Sequence, residues 1–325
     1  MKEIMEPLLK VENLQVNYQD EEIVRDISFQ MDRGEILGIV GESGCGKSTL
    51  LDAVLRMLDK EGCTFNGRII YDGINIASCS GEQMRKIRGN RLGIVFQNPR
   101  DSLNPSRTLE TQFIETIRAH HKVSKKEACK KAIKMLENLK LKHAGQLLKK
   151  YPFQLSGGMN QRAVLALSMV MEPELLLADE PTSALDVTVQ AKVLTEMLAL
   201  REQFGTSILI VTHNMGVISY MADTVAVMYA GQIVEYGDKR TVLKSTAHPY
   251  TQALMKATPV FDGEIPKGLS GRPPAPGEKT KGCAFALRCS KCNEKCREMP
   301  PKYRQADDGH WYLCHRETGR DRVYE

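Results

Sequence analysis

No stretch of the 325-residue chain approaches the roughly 18 uncharged apolar residues that a membrane-spanning helix needs. The best candidates, "AVLALSMVM" and "TSILIVTH", reach about half that length, so any membrane role must run through partner chains. The opening segment "MKEIMEPLLKVENL" lacks the apolar core and small-residue cleavage site of a secretory signal, and the chain reads as cytoplasmic. A strong charge of one sign is absent too: 45 Lys and Arg stand against 40 Asp and Glu, leaving +5. That is too mild to argue for a nucleic-acid partner. The local basic excess between Arg118 and Lys150 reads as a solvated helix face, with an acidic surface or acidic partner as the alternative. There is no internal repeat and no low-complexity tract, so a repeat architecture is not expected. Cysteine, by contrast, is plentiful: five of the nine fall in the last 45 residues. In a reducing compartment clustered thiols point to metal or redox chemistry before disulfides.

Apolar, β-rich runs ("EILGIVG", "RLGIVFQ", "ELLLADEP", "TSILIVTH", "TVAVMYAGQIVEYG") alternate with segments of helical period such as Ser48 to Leu58 and Val189 to Leu200. The alternation predicts an α/β fold with a largely parallel sheet flanked by helices. From residue 98 to 173 the β-type runs stop, and Ala128, Ala132, Ile133, Leu136 and Leu139 recur at helical spacing. This predicts a helical subdomain inserted into the sheet domain. After Pro259 the text "VFDGEIPKGLSGRPPAPGEKTKG" is rich in Pro and Gly and reads as a linker. The predicted organisation is a main domain over 1–259, with the helical insertion at 98–173, and a small cysteine-rich extension over 260–325.

The stretch "GESGCGKST", Gly41 to Thr49, fits G-x-x-x-x-G-K-[ST] between the apolar strand "ILGIV" and the helix "STLLDAVLRML". A polyphosphate needs close backbone approach, which Gly41, Gly44 and Gly46 permit, with Ser43, Cys45 and Thr49 completing the cradle. Lys47 is placed to reach the β- and γ-phosphates and Ser48 to ligate Mg²⁺. A chance glycine-rich turn is the alternative, and the flanking strand and helix argue against it. "ELLLADEP" ends an apolar strand in Asp179, suited to hold Mg²⁺, followed by Glu180, suited to poise water for in-line attack. A plain helix cap before Pro181 is the competing reading. "ILIVTHNM" places His213 at another strand end, where it is either structural or in contact with γ-phosphate and attacking water.

"LSGGM", Leu155 to Met159, opens a further helix and so offers a second phosphate cradle. Taken with the glycine loop, "VFQNP" around Gln97, "LLLADEP", "SALD" at Ser183 to Asp186, and His213, it makes six ordered motifs between about Leu8 and Pro259. Their order and spacing resemble the nucleotide-binding subunit of an ATP-binding cassette (ABC) transporter, a P-loop NTPase fold with an inserted helical subdomain. The resemblance implies that Tyr18 stacks on adenine, although a tyrosine there also suits core packing. It further implies that Gln97 senses γ-phosphate and Mg²⁺, and that Ser156, Gly157, Gly158 and Asp186 serve an ATP sandwiched between two cassettes. Met159 departs from the commonest pattern, which has Gln, and Asn160 sits where many relatives carry Arg.

"LSGGMNQR", "QNPRDSLNP", "PTSALDVTVQAKVL", "MYAGQIVEYGD" and "HPYTQALMKATP" resemble the branch that imports dipeptides, oligopeptides or nickel. That resemblance implies ATP hydrolysis at the cytoplasmic face of the cell membrane. It also implies a paralogous second ATPase, two transmembrane permease subunits and a substrate-binding protein. In the same branch Cys283, Cys289, Cys296 and Cys314 match a terminal cysteine motif. Four thiolates hold either a [4Fe–4S] cluster or one Zn²⁺. Structural zinc usually draws on two C-x2-C knuckles, and only Cys289 and Cys292 have that spacing, so the cluster is the leading expectation. Unligated thiols remain the third reading; His315 reads as a neighbour and Cys292 as a spare thiol. Competing functions are a nickel or metal-chelate importer of the same branch, and a soluble cassette ATPase acting on ribosomes or DNA. A redox or metal sensor at the C-terminus is compatible with transport.

Overall fold

The computed structural model describes residues 6–58, 62–98, 102–183, 185–258, 268–307, 309–317 and 322–323. They fall into two compact units, Met1–Ala77 with Val211–Glu325, and Ser78–Ile210. These divisions differ from the predicted ones at 98, 173 and 259. Part of the stretch predicted as a linker, residues 260–267, lies outside the described residues, as does Pro259 before it.

In the first unit, polarity alternation at the N-terminus yields an antiparallel sheet. β1 (Leu9–Tyr18) turns into β2 (Glu21–Met31), and the two pair with Leu9 opposite Met31. Leu9, Val11, Leu14 and Val16 are buried. β3 (Ile36–Val40) is buried at every position, as a strand covered on both faces requires. β4 (Cys63–Tyr71) and β5 (Ile74–Asn75) complete the first sheet in the order β2-β1-β4-β5.

The second unit contributes β6 (Leu92–Val95) and β7 (Leu175–Asp179), which pair in parallel with Val95 opposite Ala178. Helices Leu109–His120 and Lys125–Asn138 account for the predicted helical stretch. The latter starts at a reciprocal cap, Ser124 with Glu127, that satisfies otherwise orphaned backbone donors. It buries Ala128, Ala132, Met135 and Leu136 and leaves Lys126, Lys130 and Lys134 exposed. The basic residues of this helix thus lie on its exposed face. Ile133, expected in the core, is only half-buried, and Met135 takes the inner position.

The chain re-enters the first unit along β8 (Ser207–Thr212), and β9 (Thr224–Tyr229) then pairs in parallel with β3. β10 (Gln232–Asp238) follows antiparallel to β9. The cysteine-rich extension, predicted as a separate unit, instead joins this one through its strands. β11 (Tyr303–Asp307) pairs with β12 (His310–Leu313) and with β13 (Arg322–Val323), and β12 pairs with β10, Tyr236 opposite Trp311. The reason is aromatic and polar burial. Trp311 stacks on Tyr236 at 5.3 Å between ring centres and meets Tyr303 edge-on at 4.9 Å. Each such pair adds about 0.5–1.5 kcal/mol beyond its area burial.

Beneath that pairing, Glu235 is fully buried and accepts from the backbone N–H groups of Ala247 (2.7 Å) and His248 (2.9 Å). Its Oε1 also lies 2.9 Å from His310 Nε2. His248 is buried beside it, and its Nδ1 accepts from Tyr250 N–H at 3.0 Å, a bond only the unprotonated ring can make. Burial lowers the His248 pKa to about 4, against partial opposition from Glu235. The unfolded chain therefore binds this proton more readily, so stability falls as pH drops from about 6.5 toward 4. The full loss approaches about 3 kcal/mol, at 1.36 kcal/mol per pKa unit. Thermal melts between pH 7 and 4.5 are expected to show it. The H248N variant, which keeps the cap without the titration, is expected to flatten the curve.

Candidate nucleotide site

In the first unit β3 delivers the chain into the loop Gly41–Gly46, which opens the helix Lys47–Leu55. Gly46 at the N-cap has φ +102° and no side chain caps the helix, so its first N–H groups face the loop. Gly41 cannot carry a side chain: a Cβ there would sit 2.2 Å from the Met228 carbonyl oxygen on β9 and 2.8 Å from Cys45 Sγ. Gly41 N–H donates to Thr212 O at 3.3 Å, which ties the loop to the strand end that precedes His213. Lys47 is 5% exposed, and its Nζ donates to the carbonyls of Gly41 (2.8 Å) and Glu42 (2.9 Å). Ser43, Gly44, Ser48 and His213 are exposed, and Thr49 and Tyr18 half-buried. Tyr18 closes β1 opposite Glu21 and Cys63, at a strand end rather than in the core. Cys45 is buried, and burial raises its thiol pKa despite the nearby Lys47 ammonium.

In the second unit β7 ends at the half-buried Asp179, and Glu180 follows in the left-handed region at φ +43°. Glu180 is buried there, and holding a non-glycine residue in that region costs on the order of 1–3 kcal/mol. Gln97 lies beyond β6, and its Nε2 donates to Glu180 Oε2 at 3.2 Å. The structure thus brings Gln97 and Glu180 together although 83 residues separate them. Ser156 caps the helix Gly157–Met169 by accepting from Met159 N–H at 3.4 Å, leaving Ser156 and Gly157 exposed at its mouth. Asp186 caps the helix Val187–Phe204 through Val189 N–H at 3.0 Å, so it has a structural task as well as its expected one. Within the "SALD" motif, Ala184 lies outside the described residues.

Gln161, which is buried, was not singled out in the sequence, and the buried Asn160 stood out there only as a departure from the family pattern. Gln161 Nε2 donates to Pro181 O at 2.6 Å, which fastens the Ser-Gly-Gly helix to the turn after Glu180. Asn160 Nδ2 donates to Pro152 O at 3.1 Å, so this neutral side chain is held by the backbone just before the Ser-Gly-Gly turn. The adjoining "NQR" text held the only signal.

Of the C-terminal thiols, Cys283, Cys289, Cys296 and Cys314 line one cavity of about 10 Å³, and Cys292 does not. Burial pushes the Cys283 thiol up to about 12, and the three facing cysteines add to the rise. The expectation of a metal centre is not met by ready-made coordination. Among the described residues no group of three or more His, Cys, Asp or Glu is placed to hold a metal ion. His315 Nε2 lies 2.9 Å from Met299 O. Among the described residues no helix is long and apolar enough to cross a membrane.

A buried strand feeding a glycine loop and a bare helix N-terminus, together with a carboxylate pair at the end of another strand, defines a P-loop nucleotide-binding protein. Residues 24–183 match the ABC transporter family model, and residues 234–296 the oligopeptide/dipeptide transporter C-terminal region. The chain is 40% identical over 318 residues to a probable peptide ABC transporter ATP-binding protein of Sinorhizobium fredii, covering 95% of each. It is 38% identical over 317 residues to a dipeptide transport ATP-binding protein of Bacillus subtilis, again covering 95% of each. An oligopeptide transport ATP-binding protein of Escherichia coli is 39% identical over 300 residues, 90% of this chain and 89% of that one. A dimeric ATP-binding cassette solved in a post-hydrolysis state with ADP and Pi superposes with a TM-score of 0.63 at 27% identity, over 71% of this chain and 99% of that one. The Clostridium perfringens cbiO1 structure, part of an ABC transporter complex, gives 0.65 at 30% identity over 74% and 92%. The chain belongs to the ATP-binding proteins of ABC transporters, in the branch that carries the oligopeptide/dipeptide C-terminal region. It has the mixed α/β fold of an ABC ATPase.

Proposed function

We propose that the chain is the ATP-hydrolysing subunit that powers import of di- and oligopeptides, working peripherally at the cytoplasmic face of the cell membrane. One observation carries the reading: the match to relatives named for peptide, dipeptide and oligopeptide transport spans at least 89% of each chain and includes the C-terminal region. Nickel import within the same branch and action on ribosomes or DNA lack such support.

The roles follow from chemistry. The loop N–H groups of Ser43, Gly44 and Gly46 and the dipole of the following helix attract polyphosphate. Lys47 exchanges the carbonyls of Gly41 and Glu42 for β- and γ-phosphate oxygens and neutralises charge as the phosphoryl group leaves. Ser48, Gln97 and Asp179 carry the oxygen donors that Mg²⁺ prefers and are the residues that would hold it, and the ion would supply charge neutralisation for the phosphates. Glu180 takes the proton of the attacking water, Gln97 and His213 orient it, and Tyr18 stacks on adenine. Ser156, Gly157 and Gly158 serve the ATP of a second cassette, with Asp186 in the same interface. That cassette is a paralogous ATPase, and two permease subunits and a substrate-binding protein complete the assembly.

We also place a [4Fe–4S] cluster on Cys283, Cys289, Cys296 and Cys314, with Zn²⁺ as the alternative. The support is the donor set: four thiols around one cavity, with Cys292 left out. At about 10 Å³ that cavity is roughly one water in size, so loading must spread the thiols. Bound there, the cluster would cross-link the C-terminal segment.

Anaerobic affinity purification of the tagged chain from detergent-treated membranes tests both statements. The expected product is brown, contains about four irons per chain, and carries the permease subunits and a second ATPase. Co-purifying ribosomes would overturn the importer. A colourless protein with one zinc per chain would replace the cluster.

A further inference from the structure

Glu42 follows the first glycine of the phosphate loop, and a carboxylate is electrostatically out of place beside a polyanion. Each of its polar groups is nonetheless held. Its N–H donates to Tyr250 Oη at 3.1 Å, and its carbonyl accepts from Lys47 Nζ at 2.9 Å. Its carboxylate receives both arms of Arg288, Nη1 to Oε2 at 2.7 Å and Nη2 to Oε1 at 2.9 Å. The Arg288 side chain is 5% exposed and that of Glu42 25%. Arg288 is itself fixed, because its Nε donates to Ser270 O at 3.1 Å and its guanidinium lies 5.8 Å from the centre of the Tyr229 ring. Phe285 packs on the rings of both Tyr229 and Tyr250. Arg288 stands 246 residues from Glu42, between Cys283 and Cys289.

We infer that Arg288 is a positioning residue for nucleotide binding, which neutralises Glu42 and holds its carboxylate off the phosphate cradle. The inference rests on the ATP-site reading above. A planar guanidinium satisfies both carboxylate oxygens at once, whereas a lysine supplies one point charge. Without Arg288 the carboxylate is left part-buried with its charge uncompensated. It then repels the entering polyphosphate, or it captures the loop N–H groups and Lys47 that the phosphates need.

The test is titration calorimetry of ADP and ATP on the full chain. R288A is expected to weaken ATP binding on the order of tenfold, ADP binding less, and the double variant R288A/E42Q to recover most of the loss. R288K should fall between wild type and R288A. E42Q alone, which keeps the side chain's shape and an oxygen for Arg288, should bind ATP at least as tightly as wild type. Unchanged affinity in R288A overturns the inference. So does a loss that E42Q fails to rescue, because Arg288 would then only hold the C-terminal segment in place. Weaker binding by E42Q alone overturns it as well, even if R288A does not fold. A wild-type chain that binds no ATP removes the site reading itself, which separates the two failures.

Discussion

Glu180→Gln is expected to bind ATP as well as the native chain, to hold two cassettes together in its presence, and to lose hydrolysis by about 10²–10⁴-fold. Glu180 is buried at φ +43°, a conformation a non-glycine side chain adopts at a cost, and Gln97 donates to its carboxylate at 3.2 Å. Glutamine has the same shape and still offers an oxygen to Gln97, so the turn survives. What it lacks is a lone pair basic enough to take a proton from water. Phosphate release at saturating ATP and gel filtration with and without ATP check the two halves separately. Normal turnover in the variant would remove Glu180 as the base.

Gly41→Ala is expected to abolish ATP binding, a loss on the order of 10²-fold or more. It should also lower stability by about 1–3 kcal/mol. The added methyl would meet the Met228 carbonyl at 2.2 Å, and that atom belongs to β9, which pairs with β3 directly before the loop. Neither strand can yield without losing buried ladder bonds, so the loop must shift. Gly44→Ala is the informative comparison. Its Cβ would meet nothing within 4 Å, and only the left-handed φ of +79° opposes it, at about 1–2 kcal/mol. Equal effects of the two substitutions would show that close packing of Gly41 is not what shapes the cradle. Equilibrium ATP binding and denaturant melts of both variants decide it.

The contrast between these residues and Arg288 shows what a sequence can disclose. Gly41, Lys47 and Ser48 fall within nine consecutive residues, because a phosphate is small and one turn of backbone suffices to wrap it. Asp179, Glu180 and His213 were visible because each closes an apolar strand. The pairing of Gln97 with Glu180 needed the parallel register of β6 and β7, which no local pattern encodes. Gln161 was invisible for a similar reason: its amide meets a backbone carbonyl 20 residues on, and any sequence offers a carbonyl. The C-terminal extension looked separate because its text is rich in Pro and Gly. Its hairpin is nonetheless drawn in by Trp311 on Tyr236 and by His310 on the buried Glu235, contacts across some 75 residues. The bidentate clamp on Glu42 is the most distant of these contacts, and it joins the phosphate loop to the segment whose purpose composition alone left open.

The central claim is that ATP hydrolysis by this chain drives peptide import, and uptake into sealed vesicles carrying the complete assembly tests it most directly. With ATP on the side of the cassettes and binding protein on the other, a labelled dipeptide or oligopeptide is expected to accumulate in the ATP compartment. The E180Q assembly should accumulate none. Peptide uptake that persists in E180Q, or ATP-driven accumulation of nickel with peptide ignored, would contradict the account.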